Sequence, residues 1–211
     1  MGNRAVTILT GPPGAGKTTV AELLASDAHV PAVHVTPDLF YRSIRTGFVL
    51  PYLPEAQRQN EVVVDAIVAT VATFARGGYD VVVDGIVGPW FLPPFRAAAE
   101  RDGLALSYVV LRPDLDITLS RAQRRADHEL KDIDAITGLY TAFERLGDLD
   151  RHAIDTGHHD AERTAAEVGV SSPQANTAWR ETGVSAPQSY PDSSFRSCEE
   201  ASRLIRLPRA G

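Results

Sequence analysis

Residues 10–19 read TGPPGAGKTT. Gly11, Pro12, Pro13, Gly14, Ala15, Gly16, Lys17 and Thr18 fill the spacing G-x-x-x-x-G-K-[ST] completely, and Thr19 follows. Glycines at these positions let the backbone curl so that successive N–H groups point inward. A helix beginning there adds positive potential. The stretch therefore predicts a cradle for the phosphates of a nucleotide, with Lys17 reaching the β- and γ-phosphates and the Thr18 hydroxyl placed to ligate Mg²⁺. The plainer reading is a Gly/Pro turn that merely opens a helix. Its flanks favour the cradle: AVTILT (5–10) is a continuous apolar run of strand length, and 16–26 has the length of a helix.

Working outward, strand-length apolar runs alternate with helix-length segments as far as about residue 169. Strands are expected at 31–36, 79–85, 104–112 and 152–156. Helices are expected at 55–76 (closed by Gly77-Gly78), 93–101, 114–125, 132–146 and 160–168, the last capped by Asp160. Residues 38–54 read as a short helical turn followed by a proline-bearing loop. Such alternation predicts βαβ units and a parallel sheet. From Ser171 the text turns rich in Ser and Pro with scattered apolar residues, so 1–170 reads as the domain and 171–211 as a disordered or loosely packed tail, with a functional tail as the alternative.

The 211 residues suit one domain plus an appendage, and an apolar fraction of 44% supports a sizeable core. A formal net charge of −6 argues against nonspecific binding of nucleic acid. Cys198 is the single cysteine, so no disulfide framework forms within the chain, and a cytoplasmic setting fits. No apolar run approaches a membrane span, and the opening MGNRAVTIL lacks the features of a secretory signal. Only Lys17 and Lys131 are lysines among the 21 Lys and Arg residues. This usage suits a GC-rich genome, yet one of the two lysines is the one the cradle needs.

Asp84 ends the hydrophobic run VVVD, where a carboxylate is costly without a partner. It reads either as a metal-side residue or as a turn aspartate before Gly85. The cradle, its setting and Asp84 together resemble the small P-loop kinases: shikimate, gluconate and nucleoside monophosphate kinases, chloramphenicol phosphotransferase, and the kinase module of polynucleotide kinase. The resemblance spans residues 5 to about 169. It implies a five-stranded parallel sheet of order 2-3-1-4-5 with helices on both faces, and ATP and Mg²⁺ as cofactors. Asp84 then faces Mg²⁺ through its water, or the Thr18 hydroxyl, at the edge of the substrate site. Other branches fit less well. No N-K-x-D guanine-reading motif exists, the chain is too short for an AAA+ module with its helical lid, and no extended helicase motifs occur.

In these kinases an aspartate just past strand two faces the acceptor hydroxyl, and in HVTPDLFYRSIR that position is Asp38. Such a carboxylate orients the hydroxyl and takes its proton late. The competing reading is a helix N-cap. Arg42 and Arg45 stand at i+4 and i+7 from Asp38, either to bind an anionic substrate or to pair with Asp38. Phe40, Tyr41, Phe48, Tyr52, Trp90 and Phe91 form either an aromatic wall for the acceptor or ordinary packing. The resemblance also makes Arg121, Arg124 and Arg125 a short lid over ATP, against the reading of a solvated basic helix end. TGHHD (156–160) then flanks the adenine, and His158 and His159 read as loop residues rather than metal ligands. The expected activity is phosphate transfer to a hydroxyl of a small molecule, a metabolite or an antibiotic. Alternatives are a polynucleotide 5′-hydroxyl kinase and a nucleotide-gated binding module.

Overall fold

The computed structural model describes residues 5–125 and 130–170. The Ser/Pro-rich stretch 171–211 and part of the expected lid lie outside them. The elements run β1 (Ala5–Thr10), α1 (Lys17–Ser26), β2 (Ala32–Val35), α2 (Pro37–Arg42), α3 (Gln57–Arg76), β3 (Asp80–Asp84), α4 (Leu92–Asp102), β4 (Ala105–Leu111), α5 (Leu115–Gln123), α6 (Ile133–Glu144), β5 (Ala153–Ile154) and α7 (Ala161–Val170). The strands form one sheet in the order β2-β3-β1-β4-β5, every neighbour parallel.

Both faces of the sheet are covered, which is why its strands read as near-continuous apolar runs. The pleat divides those runs between two cores. Val6, Ile8, Val81, Val83, Tyr108 and Val110 meet α3, α4 and α6, while Leu9, Val82, Val109 and Leu111 meet α1 and α7. Full burial of each such aliphatic side chain is worth about 1.5–3 kcal/mol relative to exposure. On β2 the same alternation sends Val33 and Val35 to the α3 side and leaves His34 on the face of Val82 and α1.

Two boundaries differ from the sequence reading, at β5 and at the end of α5. After β3 the expected turn and helix are present: Pro89–Phe91 form a 3₁₀ turn that runs into α4 at Leu92, with Pro93 in its first turn. A first-turn N–H has no intrahelical partner, so its loss to proline costs little. The fifth strand is only Ala153–Ile154, preceded by a 3₁₀ turn over Gly147–His152. Finally, α5 stops at Gln123.

The carboxyl end of the sheet is tied down by buried hydrogen bonds. The Val87 N–H donates to Thr10 Oγ1 at 2.9 Å, and the Tyr108 hydroxyl donates to Val87 O at 2.8 Å. Burial pushes the Tyr108 phenol far up, so it remains a donor. The long connection after α2 is clipped to α3. Gln59 takes both backbone groups of Val49 (2.8 and 2.7 Å), and Asn60, wholly buried, donates to Pro51 O at 2.7 Å.

Candidate active site at the carboxyl edge of the sheet

The loop 11–16 leaves β1 and enters α1 through three glycines with positive φ. Their reasons differ. A Cβ on Gly11 would lie 2.1 Å from Leu111 O, and one on Gly14 would lie 2.4 Å from Thr118 O, so the loop is pressed against the backbone of β4 and α5. A Cβ on Gly16 would meet nothing within 4 Å; that position, at φ +91°, faces open space at the start of α1. Pro12, Pro13 and Ala15 are buried, whereas Gly16, Thr18 and Thr19 are exposed. The loop is thus anchored on one side and open on the other, as a phosphate cradle at a helix N-terminus requires. Lys17 Nζ donates to Gly11 O (3.1 Å) and Pro12 O (2.9 Å), lying along its own loop.

Asp84 is 4% exposed at the end of β3, on the α1 side of the sheet. Burial pushes its carboxyl up. His34, Lys17 and the Thr18 hydroxyl together outweigh that and hold it below the ordinary carboxylate value. The structure therefore brings Lys17, Thr18 and Asp84 into one electrostatic unit. A hydroxyl and an ionised carboxylate, open to solvent on the Thr18 side, fit Mg²⁺, which keeps several waters and takes few protein oxygens. His34 went unremarked in the sequence. Its Nε2 lies 3.5 Å from Asp84 Oδ2, is buried, and has no aligned hydrogen-bond partner among the described residues. A buried donor left unsatisfied costs about 1–3 kcal/mol. Only the pairing of β2 with β3, with His34 opposite Val82, shows that this side chain looks diagonally toward Asp84.

Asp38 is exposed in the first turn of α2, whose N-cap is Thr36. Its carboxylate makes no hydrogen bond or ion pair with any described residue, so it does not cap the helix. What locates it is its neighbour: a Cβ on Gly85 would sit 2.6 Å from Pro37 Cγ, so the start of α2 packs on the residue after Asp84. Leu39 (61% exposed) and Ile86 (38% exposed) add apolar surface beside these two contact points.

Arg42 and Arg45 do not share a helical face as their spacing implied. The helix has six residues and stops at Ser43, whose hydroxyl turns back to Leu39 O at 2.8 Å, and Arg45 lies in the loop beyond. Neither arginine pairs with Asp38 or with another described residue. Likewise Arg124 is the C-cap of α5 and Arg125 follows it, each turning back by backbone bonds of 3.2 Å to Arg121 O and Ala122 O respectively. Arg121 is the one lid arginine inside α5.

The aromatic residues mostly serve packing. Tyr52 and Phe91 are buried, Phe40 and Tyr41 lean on the α3-side core, and Trp90 meets Phe91 edge to face (6.3 Å) and Phe143 at a tilt (6.4 Å). Phe48 is the exception, 42% exposed in the clipped loop. His159 Nδ1 faces Glu167 Oε2 at 3.3 Å, and Asp160 caps α7 by accepting from the Arg163 N–H at 2.8 Å.

The model of an AAA domain family (AAA_33) matches residues 6–144, from β1 to the end of α6. The chain belongs to that family. The AAA_33 match covers the cradle, Asp38, Asp84, Arg121, Arg124 and Arg125 in one stretch. Among the described residues this AAA_33 chain has no helical domain after β5, only α7. No curated sequence matches it significantly. Among solved structures, the tunicamycin resistance protein of Deinococcus radiodurans aligns over 79% of this chain and 94% of its own, with a TM-score of 0.57 at 17% identity. A sugar kinase from Janibacter sp. aligns over 81% and 94%, with a TM-score of 0.56 at 16% identity. A chain of the Pnkp1/Rnl/Hen1 RNA repair complex aligns over 70% of this chain and 46% of its own, with a TM-score of 0.55 at 19% identity. At these identities the likeness is one of fold, and the fold is that of P-loop kinases. No helix among the described residues is long and apolar enough to cross a membrane.

Proposed function

We propose that the domain moves the γ-phosphate of ATP to a hydroxyl of a small molecule. The observation that supports this reading is Asp38: an exposed carboxylate without a partner among the described residues, next in sequence to Pro37, which packs on Gly85, the residue after Asp84. A carboxylate that neither caps its helix nor pairs with a cation is available to a substrate. In this reading the backbone N–H groups of 11–19 hold the phosphates. Lys17 leaves its own loop carbonyls for the β- and γ-phosphate oxygens. Thr18 and Asp84 would hold Mg²⁺, which neutralises phosphate charge when bound.

Asp38 accepts a hydrogen bond from the acceptor hydroxyl and aims its oxygen at phosphorus. The new O–P bond forms as the bond from phosphorus to the β–γ bridging oxygen breaks, and the hydroxyl proton passes late to Asp38. ADP leaves with the bridging oxygen. Arg121 and Arg124 neutralise charge moving between the γ-phosphate and the leaving group, and Arg125 sides with the nucleotide. Arg42 and Arg45 line the acceptor side, with Trp90 behind. Exposed Leu39 and Ile86 favour an organic acceptor with an apolar part over a bare polyanion. The setting is cytoplasmic, and 1–170 is the catalytic unit, so removal of 171–211 leaves activity in place.

The test is Asp38→Asn with a panel of metabolites and antibiotics, read by phosphate transfer and by acceptor-induced thermal shift. ATP binding persists and transfer is lost; transfer at the parent rate sinks the reading. A second reading, a polynucleotide 5′-hydroxyl kinase, draws on Arg42 and Arg45, unpaired among the described residues, and on the fold shared with a chain of the RNA repair complex. Label passing from γ-labelled ATP to a 5′-hydroxyl oligonucleotide selects it. ATP binding that no acceptor of either kind stimulates into consumption marks a nucleotide-gated binding module instead.

A further inference from the structure

We infer that His34 is a positioning residue for Asp84: from the neighbouring strand its Nε2–H holds Oδ2, leaving Oδ1 to face Thr18 and the metal's water shell. The inference rests on the reading of Asp84 as a metal-side residue.

Three observations carry it. The first is register. His34 lies opposite Val82 in the parallel β2–β3 pair, and Asp84 is two residues further along, on the same face of the sheet. A side chain of histidine's length spans that diagonal. The second is distance and burial. His34 Nε2 and Asp84 Oδ2 are 3.5 Å apart, with the two side chains 18% and 3% exposed. The third is that Nε2 is buried without another hydrogen-bond partner among the described residues. A charge-assisted N–H···O bond measures about 2.7–2.9 Å, so a closure of roughly 0.6–0.8 Å from the 3.5 Å separation makes a full bond. Nε2 is a donor in the imidazolium and in one neutral tautomer alike, so the role needs no change of charge.

Lys17 acts on Asp84 through its charge, while its Nζ donates to Gly11 O and Pro12 O on the loop side. Thr18 offers a single hydroxyl, which in this reading is itself a metal-side group. Of the three groups around Asp84, His34 alone comes from the sheet, where the backbone is least free to move. Oriented partners of this kind fix which carboxylate oxygen a cation meets, and their loss commonly weakens metal affinity about 10–100-fold.

The experiment compares the parent protein with His34→Leu, His34→Gln and Asp84→Asn. Mn²⁺ affinity in the presence of ADP is measured by electron paramagnetic resonance, and ADP affinity is measured separately in EDTA. Melting temperature reports the fold. Asp84→Asn weakens Mn²⁺ binding most. His34→Leu weakens it about tenfold or more, with ADP affinity in EDTA unchanged, and His34→Gln, whose amide N–H stands near the place of Nε2, restores it to within about threefold. If Asp84→Asn binds Mn²⁺ as the parent does, the metal reading of Asp84 falls, and this inference with it. If Asp84→Asn weakens Mn²⁺ but His34→Leu does not, the inference alone is overturned. Equal losses in the Leu and Gln variants, or a loss of ADP affinity in EDTA, mark His34 as a packing residue and also overturn it.

Discussion

The two halves of the carboxyl edge are built in opposite ways. On the nucleotide side the framework is held: Gly11 and Gly14 are pressed against backbone carbonyls, Lys17 bonds to its own loop, and Asp84 is buried with His34, Lys17 and Thr18 acting on it. On the side of α2 the charged groups stand open. Asp38, Arg42 and Arg45 are exposed and make no pairs with described residues, and Leu39 and Ile86 show apolar surface. Held groups suit a ligand that is always the same, because preorganised donors cost no reorganisation when charge develops. Open groups suit a ligand whose identity varies among relatives of one fold, because specificity is then set by surface side chains that the fold does not need.

Five substitutions can break that contrast. The largest effect is expected from Lys17→Met, with transfer falling roughly 10³-fold as a charged donor to the phosphates is lost. Its melting temperature should hold, since the loop is anchored independently by Gly11 and Gly14 against β4 and α5; a folding collapse would mean that Lys17 is chiefly structural. Next, Asp38→Asn should lower transfer about 10²-fold while changing stability by less than about 1 kcal/mol, the scale of a lost first-turn charge. Urea unfolding beside single-turnover transfer separates the two quantities.

Gly11→Ala should then cost about 2–3 kcal/mol of stability, because the new methyl meets the Leu111 carbonyl at 2.1 Å and φ is +142°. Gly16→Ala should cost no more than the φ strain, about 1–2 kcal/mol, and act on nucleotide affinity instead. Equal losses of melting temperature in the two would erase the difference between the anchored and open sides of the loop. The smallest effect belongs to Arg42→Ala. It should raise the KM of an anionic acceptor by about threefold to tenfold with stability unchanged to within about 0.5 kcal/mol. An unchanged KM for every acceptor would remove Arg42 from the site.

The nucleotide half was legible because its requirements are local. Eight consecutive residues carry their own turn, their own helix start and their own lysine, so TGPPGAGKTT reads the same in one dimension as in three. Asp84 was legible for a related reason: an acid closing an apolar strand calls for a partner wherever the strand lies. Strand order followed from the βαβ alternation together with the family resemblance. The other half was only partly legible. The i+4, i+7 spacing of Arg42 and Arg45 presumes a helix that continues, and α2 stops at Arg42 with Ser43 as its C-cap. The row of aromatics was compatible with a wall or with a core, and most of it is core, since that is decided by which face of the sheet each side chain meets.

By itself, then, the sequence determined the cradle, the parallel α/β layering and the candidate carboxylates, because each depends on neighbours a few residues away. Tertiary structure alone decided which groups meet. Gly85 receives Pro37 and so packs the start of α2 on the end of β3. Val87 is held by Thr10 and Tyr108. His34, one polar residue in an apolar strand, looks at Asp84 only through the register of β2 on β3. Strand register and helix packing are set by the cooperative burial of both sheet faces, a sum over the whole chain that no short stretch carries.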